Sequence, residues 1–538
     1  MYQWIDRTVF ELARQLRWSF LPPLMVYLAA GVSGLTAIVG TFFVKDYLGL
    51  SAAFLAGLGF WAGIPWALKM PVGHIVDLIW RWKAVLVYLG AGLIAASLLI
   101  MYGLIAHTAA MAAIARVEAW FVLSVLLSPI GYVVQDVVAD AMTVEAVPLV
   151  DDKGMPFAEA EIKSMHTTMQ TLGRFAIILG TVVVAALNIF MFSGVESMTE
   201  ADKAQIYGQI YLLALAIPAI SVTGVILASV MARVRITGLR RLGYGASDIR
   251  RMMDGDMGDA APNWWILGGS LGFVVFTVSL GLSDVAASQE IIFTGSMAIV
   301  LFLMYRLLLE LAPEARRALV GTAVIIFVFR AVPLPGAGAT WFEIDALGFD
   351  QRFLSILNLI ASGLALAGMV ALRPLMARRS LAYLVAMLTL AGGILSLPNI
   401  GLYYGIQNWT AAMTGGVVDA RFIAVIDTAI ESPLGQVAMI PMLAWIARNA
   451  PPHLKATFFA VMASFTNLAL SASALGTKYL NQFYIVTREV RDSVTGALTV
   501  PADYSQLGIL LIGVTVIAVV VPLGVIGLVQ ASRLRTHQ

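Results

Sequence analysis

The 538-residue sequence has no cysteine and few charged side chains, which make up only 12% of the chain. The absence of cysteine excludes disulfides, thiolate metal sites and cysteine nucleophiles. An average soluble domain carries about 25% charged residues, so this chain has too little polar surface for a soluble enzyme. The same shortage excludes a disordered chain and a nucleic-acid binder of the basic-patch type. The net charge of +2, from 34 basic and 32 acidic side chains, selects no acidic partner.

Several catalytic motifs are also missing. The sequence has no G-x-x-x-x-G-K-[ST] loop for nucleotide phosphates and no H-E-x-x-H zinc motif. Its five histidines, at positions 74, 107, 166, 453 and 537, are scattered and form no metal set. No Ser-His-Asp arrangement is apparent. We therefore predict a protein that is not an enzyme and holds no cofactor or metal.

Long apolar runs dominate the chain, since 60% of its residues are hydrophobic and the mean hydropathy is +0.87. A membrane-spanning helix needs about 20 mostly apolar residues. Fourteen such runs predict an all-α polytopic membrane protein with 14 transmembrane helices. The predicted spans are 20–44, 52–70, 84–105, 118–142, 166–192, 208–232, 264–284, 289–311, 318–335, 352–372, 380–400, 421–446, 456–476 and 506–530.

Basic residues in the loops predict the orientation of these spans. Fourteen spans place both termini on one side, which then has 24 of the Lys and Arg side chains, against eight on the other side. Because basic loops face the cytoplasm, we predict a multi-pass protein of the cell membrane with both termini cytoplasmic. Residues 1–19 contain five charged side chains and no short apolar core, so they are predicted to be a cytoplasmic leader rather than a signal peptide.

Two pairs of similar segments indicate an internal repeat. Thr41–Leu50 and Thr340–Phe349 are identical at five of ten positions, at an offset of 299. Val134–Asp140 in the fourth span resembles Val425–Glu431 in the twelfth, at an offset of 291. Two parallel six-helix halves are the plan of major-facilitator transporters, so we predict that fold, with one central site between the halves. The predicted domains are a leader (1–19), an N-terminal six-helix bundle (20–232), a cytoplasmic linker (233–262), an inserted two-helix hairpin (263–312) and a C-terminal six-helix bundle (313–538).

Acidic side chains inside predicted spans are the candidate functional residues, because an ionised group at mid-bilayer is costly. Asp136 and Asp140 lie four residues apart, hence on one face of the fourth span, and Asp427 and Glu431 repeat that spacing in the twelfth. Two such carboxylates repel unless one is protonated or a cation lies between them, which suits proton or cation coupling. The alternative is that they form fixed salt bridges that only hold helices together. The predicted substrate and ion pathway also includes Glu145, Gln170, Arg174, Arg330 and Asn467.

A second group of residues suggests a gate. Gly73, Asp77 and Arg81 follow one another at intervals of four at the cytoplasmic end of the second span, where Asp77 can hold a neighbouring helix. Asp46 and Asp345 occupy equivalent positions in the first pair of repeated segments. We predict gating roles for these five residues.

Short stretches in both halves carry a resemblance to a known family: Phe42–Ser51, Gly63–Lys69, Asp136–Glu145, Ala450–Pro452 with Ala456–Ala460, and Ser464–Leu468. They resemble the folate–biopterin transporter family of the major facilitator superfamily. The resemblance implies a carrier that moves folates or pterins by alternating access, in proton- or cation-coupled symport. Arg174 and Arg330 would then bind a substrate carboxylate. We expect a monomer in the lipid bilayer that binds a small molecule and no nucleic acid.

Two other functions fit the same residues. Muropeptide permeases resemble this chain in having fourteen spans and an acidic fourth span, so a sugar–peptide carrier is one alternative. The other is a non-transporting membrane protein that senses a ligand or delivers a pigment or lipid. Such a protein needs no acid pair facing a water-filled cavity, so the placement of Asp136 and Asp427, toward protein or toward lipid, distinguishes it from a carrier.

Overall fold

Most of the chain is α-helical in the computed structural model. The residues it describes are 17–44, 50–67, 69–79, 82–151, 153–195, 198–254, 264, 265, 268, 272, 275, 276, 279, 280, 285, 287–309, 311–371, 379–431, 455–491 and 498–534.

Twenty α-helices and one short β-hairpin have their bounds within these residues. The strands β1 (Val490–Arg491) and β2 (Leu498–Val500) pair antiparallel, in the loop before the last helix. Short 3-10 turns cover Trp18–Phe20 and Ser33–Thr36. In chain order the α-helices are α1 (Leu21–Val32), α2 (Ala37–Phe43), α3 (Ala52–Ala67), α4 (Lys69–Leu78), α5 (Lys83–Ala106), α6 (Thr108–Ile114), α7 (Val117–Ala146), α8 (Glu159–Met191), α9 (Glu200–Ala214), α10 (Ala216–Arg241), α11 (Ala246–Asp254), α12 (Ser288–Leu308), α13 (Pro313–Arg330), α14 (Ala337–Asp345), α15 (Gln351–Ala371), α16 (Leu381–Tyr403), α17 (Ile406–Met413), α18 (Ala420–Glu431), α19 (Lys455–Phe483) and α20 (Leu507–Ala531).

Within the described residues, nine helical stretches are long and apolar enough to cross a membrane. They coincide with the predicted spans one, three to six, eight, ten, eleven and fourteen. The predicted polytopic, mostly helical character is therefore confirmed, and the count of fourteen stays a prediction. The nine stretches are Trp18–Phe43, Lys83–Ala106, Val117–Ala146, Leu172–Met191, Asp202–Arg241, Ser288–Arg306, Gln351–Gly368, Leu381–Tyr403 and Leu507–Ala531.

The five other predicted spans are described to different extents. The second corresponds to α3 followed by α4, and the thirteenth lies within α19. The ninth corresponds to α13, which ends at Arg330 rather than at residue 335, since Pro333 and Pro335 follow and cannot donate helical hydrogen bonds. Only the first part of the twelfth, as α18, and scattered positions of the seventh lie within the described residues.

The chain divides into two compact units, of which unit 1 comprises residues 1–36, 71–187 and 197–268. Its helices approach closely at paired glycines. Gly31 of α1 faces Gly180 of α8, and Gly90 of α5 faces Gly131 of α7. A Cβ added at Gly90 would lie 2.7 Å from the Gly131 carbonyl oxygen, closer than such atoms pack. Small residues therefore set the helix spacing, as is common in membrane bundles.

An apolar core joins four helices of unit 1. Val26 of α1, Val87 of α5, Val138 of α7 and Val225 of α10 are all at most 3% exposed. The same cluster includes Tyr27, which is 7% exposed. Packing of these stiff, β-branched side chains thus fixes the helices that carry the polar residues of the unit.

Unit 2 comprises residues 37–70, 188–196 and 269–538. Its core brings Phe60 and Ile64 of α3 against Leu475 of α19 and Ile292 of α12. Residues 37–70, which the sequence assigns to the N-terminal bundle, therefore pack within unit 2. The domain boundaries drawn from the sequence stay a prediction.

The predicted cytoplasmic linker 233–262 is partly helical. Helix α10 continues through its first part to Arg241, and α11 forms from Ala246 to Asp254. The basic side chains Arg240 and Arg241 lie in the last turn of α10, where positive charge is favourable to the helix dipole.

Candidate functional site

Helix α7 carries Asp136, Asp140 and Glu145. It stays helical through Pro129 for 30 residues, and such prolines are tolerated in membrane helices. The four-residue spacing places Asp136 and Asp140 on one face of the helix, as predicted, and both side chains are half-buried within unit 1.

Tyr27 of α1 is the hydrogen-bond partner of Asp140. Its hydroxyl donates to Oδ1 of Asp140 at a distance of 2.7 Å. Asp136 and Arg174 also act electrostatically on this hydroxyl, so all four residues lie close together. We call Tyr27, Asp136, Asp140 and Arg174 the unit 1 acid cluster. Two neighbouring carboxylates disfavour each other's ionised form, whereas the guanidinium favours it, so the charges in this cluster are interdependent.

Arg174 lies in α8 and its side chain is exposed, which leaves it accessible to an anionic group. Gln170 is in the same helix, and its side chain lies outside the described part. Arg174 and the two aspartates thus surround the same tyrosine hydroxyl.

Glu145 forms an ion pair with Lys83, which begins α5. Lys83 is only 9% exposed, whereas the Glu145 side chain is 32% exposed, so the lysine is the buried member of the pair. The pair holds the end of α7 to the start of α5. In this structure Glu145 is thus engaged in a contact between helices, which is the packing role that the sequence left as the alternative.

Gln135, next to Asp136, was not among the predicted site residues. It is 3% exposed, donates to the Val87 carbonyl oxygen at 3.3 Å and accepts from the Ser221 hydroxyl at 3.1 Å. These bonds connect α7 to α5 and α10 immediately beside the acid cluster. The sequence could have identified Gln135, because a glutamine within an apolar span is buried and its amide then needs hydrogen-bond partners on other helices.

Asp427 in α18 is 7% exposed and so is buried inside unit 2. Its Oδ2 accepts a hydrogen bond from Nδ2 of Asn399 in α16, at 3.1 Å. Glu343 of α14 lies near enough to interact with the Asp427 carboxylate. We call Asn399, Glu343 and Asp427 the unit 2 acid cluster. Glu431 is the last described residue of α18, and its side chain lies outside the described part.

Glu343 is an acid that the sequence analysis missed. Burial, with the nearby Asp427 carboxylate, raises the pKa of Glu343 to about 7. A carboxyl group with that pKa changes its protonation around neutral pH. The sequence signal that could have identified it is that Glu343 lies in the second of the repeated segments. The equivalent residue in the first segment is the apolar Val44.

The remaining pathway residues are placed separately. Arg330 is half-buried at the end of α13. Asn467 of α19 donates from Nδ2 to the Trp66 carbonyl oxygen at 3.0 Å, so it connects α19 to α3. This bond gives Asn467 a packing role in the structure.

The predicted gating residues are described only in part. Gly73 and Asp77 lie in α4, and the side chain of Asp77 is outside the described part. Arg81 and Asp46 lie outside the described residues altogether. Asp345 ends α14 and accepts a hydrogen bond from the Tyr504 hydroxyl at 2.6 Å. Over the described ranges, no three His, Asp or Glu side chains come together as metal ligands.

Comparison of sequences finds similarity to a family model over part of the chain and to one curated protein. Residues 286–538 match the BT1 family. A folate-biopterin transporter of Synechocystis sp. is 26% identical over 210 residues. That alignment covers 39% of this chain and 38% of the relative, so it spans well under half of either protein.

Comparison of folds identifies solved transporters. A peptide transporter POT in complex with sulfate aligns with a TM-score of 0.61 at 15% identity, over 97% of this chain and 96% of the other. A variant of the nucleoside transporter NupG aligns with a TM-score of 0.54 at 12% identity, over 95% and 99%. The chain is therefore a multi-pass membrane protein with the fold of major-facilitator transporters, and its resemblance to the folate–biopterin transporter family is confirmed by the match of residues 286–538 to the BT1 family.

Proposed function

We propose that this protein is a secondary active transporter, not an enzyme, that moves a folate or pterin across the cell membrane by alternating access. It acts as a monomer of fourteen spanning helices with both termini in the cytoplasm. Uptake of the solute is coupled to a proton or another cation, in symport. The BT1 match and the folate-biopterin transporter relative support the substrate class.

The observation that carries the proposal is the burial of carboxylates in apolar helices at repeated positions. Asp427 is 7% exposed, and Asp136 and Asp140 are half-buried against protein. An acid facing the lipid would be far more costly than one held inside a bundle. Their placement toward protein supports a carrier over a delivery protein or sensor, which has no use for sheltered acids.

The hydrogen-bond partners support a coupling role for the acids. Tyr27 and Asn399 donate to Asp140 and Asp427 from other helices. A hydrogen bond to an ionised carboxylate is stronger than one to a neutral acid. Protonation of either acid therefore weakens a contact between two helices. In this way a proton can change the helix packing that alternating access requires.

Arg174 supports an anionic substrate. Its exposed guanidinium lies beside the aspartates of the unit 1 acid cluster, and guanidinium groups bind carboxylates in a bidentate manner. A folate glutamate group would replace an aspartate as its partner. Substrate binding and proton binding are then linked through one arginine.

Uptake into proteoliposomes with an inward proton gradient tests the proposal. We expect Asp140→Asn to reduce folate uptake to the level of protein-free vesicles, because the proton-binding carboxylate is lost. Glu118→Gln is the matched control, since Glu118 is in the first turn of the same helix, its side chain is 41% exposed and it forms an ion pair with the exposed Arg116. It should transport normally. Normal gradient-driven uptake by Asp140→Asn would refute the coupling role.

A substrate panel decides between the solute classes. Folate, biopterin and a muropeptide are offered to the wild-type protein in the same vesicles. Uptake of folate or biopterin is the expected result. Uptake of the muropeptide alone would assign the chain to the sugar–peptide carriers instead.

A further inference from the structure

An open cavity of about 610 Å³ lies in unit 2, and none of the described residues that line it is one of the four acids predicted to carry the coupling ion. Its walls come from the end of α16, the start of α17, the end of α14 and the residues before α20. The loops at this end of α16 are the ones that the basic residues predict to be outside the cell. None of the functions proposed above uses this cavity.

Aromatic rings form one wall. Phe342 packs against Tyr403 and Tyr504, with ring centroids 5.3 Å and 5.6 Å apart, and Tyr404 packs on Tyr403 at 5.0 Å. The hydroxyl of Tyr403 donates to the Tyr504 carbonyl oxygen at 2.9 Å, which fixes that ring. Tyr404 is 63% exposed, so its ring offers a free face beside a rigid aromatic cluster. Such a face stacks on flat rings.

Amide side chains form the facing wall. Gln407 and Asn408, in the first turn of α17, both line the cavity. Oε1 of Gln407 is buried and has no hydrogen-bond partner among the described residues. A buried acceptor without a partner is costly, so a ligand N–H that reached it would be bound with a net gain. Of the described residues that line the cavity, none is Asp, Glu, Lys or Arg, which favours an uncharged ligand.

We propose that this cavity is a binding site for a flat, uncharged heteroaromatic ring whose edge carries amide-like donors and acceptors, such as a pterin. The ring stacks on Tyr404, and its edge donates to Gln407. No residue of the two acid clusters is among the described residues that line this cavity. The site therefore binds its ligand whether or not the protein couples transport to protons.

Thiol labelling reports on this cavity alone, because the chain has no cysteine of its own. Ser505 lines the cavity and is exposed, so Ser505→Cys places a single thiol there with almost no change in shape. Biopterin is the probe, added to the purified full chain in detergent before a maleimide. We expect biopterin to slow labelling of this thiol severalfold.

The matched control is Ala412→Cys, an exposed position of α17 that does not line the cavity. Biopterin should leave its labelling rate unchanged. Adding Tyr404→Ala to Ser505→Cys should raise the biopterin concentration needed for half protection by about tenfold, the scale expected for a lost stacking partner. Gln407→Ala should raise it as well.

The proposal is overturned if biopterin protects neither thiol, protects both equally, or protects Ser505→Cys equally with Tyr404→Ala present. Size-exclusion profiles of the variants check that each remains folded. Asp140→Asn added to Ser505→Cys separates this site from the transport proposal. Protection that survives in a variant unable to take up folate supports the cavity on its own.

Discussion

At the residue scale, the most informative contacts are those between a buried carboxylate and a neutral donor on another helix. Tyr27 and Asn399 fill this role for Asp140 and Asp427. Removing one partner of a buried hydrogen bond costs about 1–3 kcal/mol, and more when the remaining group is charged. The charge state of each acid is thereby tied to the contact between two helices. Glu343 adds a third acid whose protonation changes near neutral pH.

Replacing Glu343 with glutamine should remove part of the pH dependence of stability. Burial raises the pKa of Glu343 to about 7 in the folded protein, above its ordinary value. The folded state then holds the proton more tightly than the unfolded state, so this stabilisation is complete at acidic pH and is lost as the pH rises through 7. The loss amounts to up to about 3 kcal/mol. We expect Glu343→Gln to have a higher thermal midpoint in detergent than the wild type at pH 8.

Acidic pH provides the control for this comparison. At a pH near 5 the wild-type Glu343 is largely protonated and resembles glutamine, so the two proteins should unfold at similar temperatures. If the midpoints of the two proteins fall in parallel as the pH rises, Glu343 does not titrate in this range.

Individual candidate site residues were predictable only where a charged residue interrupts an apolar span. Asp136, Asp140 and Asp427 stand out in the sequence, because acids are rare in apolar spans. Tyr27 and Asn399 do not, since an aromatic or amide residue is ordinary in such helices. Each acid and its donor belong to different helices, so only the packing of the unit brings them together.

At the scale of the helices, paired glycines control how closely α5 and α7 pack. Gly90→Ala should destabilise the protein by about 1–3 kcal/mol, because the added methyl group would meet the Gly131 carbonyl oxygen at 2.7 Å. Gly92→Ala on the same helix meets nothing within 4 Å and should stabilise it by up to about 1 kcal/mol, through lower backbone entropy in the unfolded chain. Thermal unfolding in detergent compares the two. Equal midpoints for both variants would show that the close contact does not limit packing.

The sequence predicted which segments are helices better than it predicted where they end. Nine predicted spans coincide with apolar helices because a run of about 20 apolar residues is a strong signal. The apolar run of the ninth span continues to residue 335, but α13 stops at Arg330 before Pro333. A proline lowers the mean hydropathy of a segment only slightly, but it cannot donate the backbone hydrogen bond that a helix needs. The assignment of α2 and α3 to unit 2 had no signal either, since it depends on packing against residues far along the chain.

At the scale of the whole molecule, the distribution of basic residues carries the predicted orientation. Six arginines lie between residues 233 and 251, whereas the segment between α16 and α18 has no lysine or arginine before Arg421. Basic segments stay in the cytoplasm during insertion. The strongly basic segment 233–251 therefore has more influence on the orientation than several loops that carry little positive charge. An even number of spans between any two loops places them on the same side. The side of one loop therefore predicts the side of every other.

Labelling of single cysteines in intact cells tests this orientation. Ala412→Cys, between α16 and α18, is predicted to face outward, and Ser247→Cys, in α11, to face the cytoplasm. Both positions are exposed and the chain has no other thiol, so the two sites differ in the side of the membrane rather than in burial. A membrane-impermeant maleimide should label only Ala412→Cys in intact cells and both variants once the cells are permeabilised. Labelling of Ser247→Cys from outside would reverse the orientation. Five predicted spans separate the two positions, so equal labelling of both in intact cells would mean that an even number of spans separates them. The fourteen-span topology would then be wrong between these two positions.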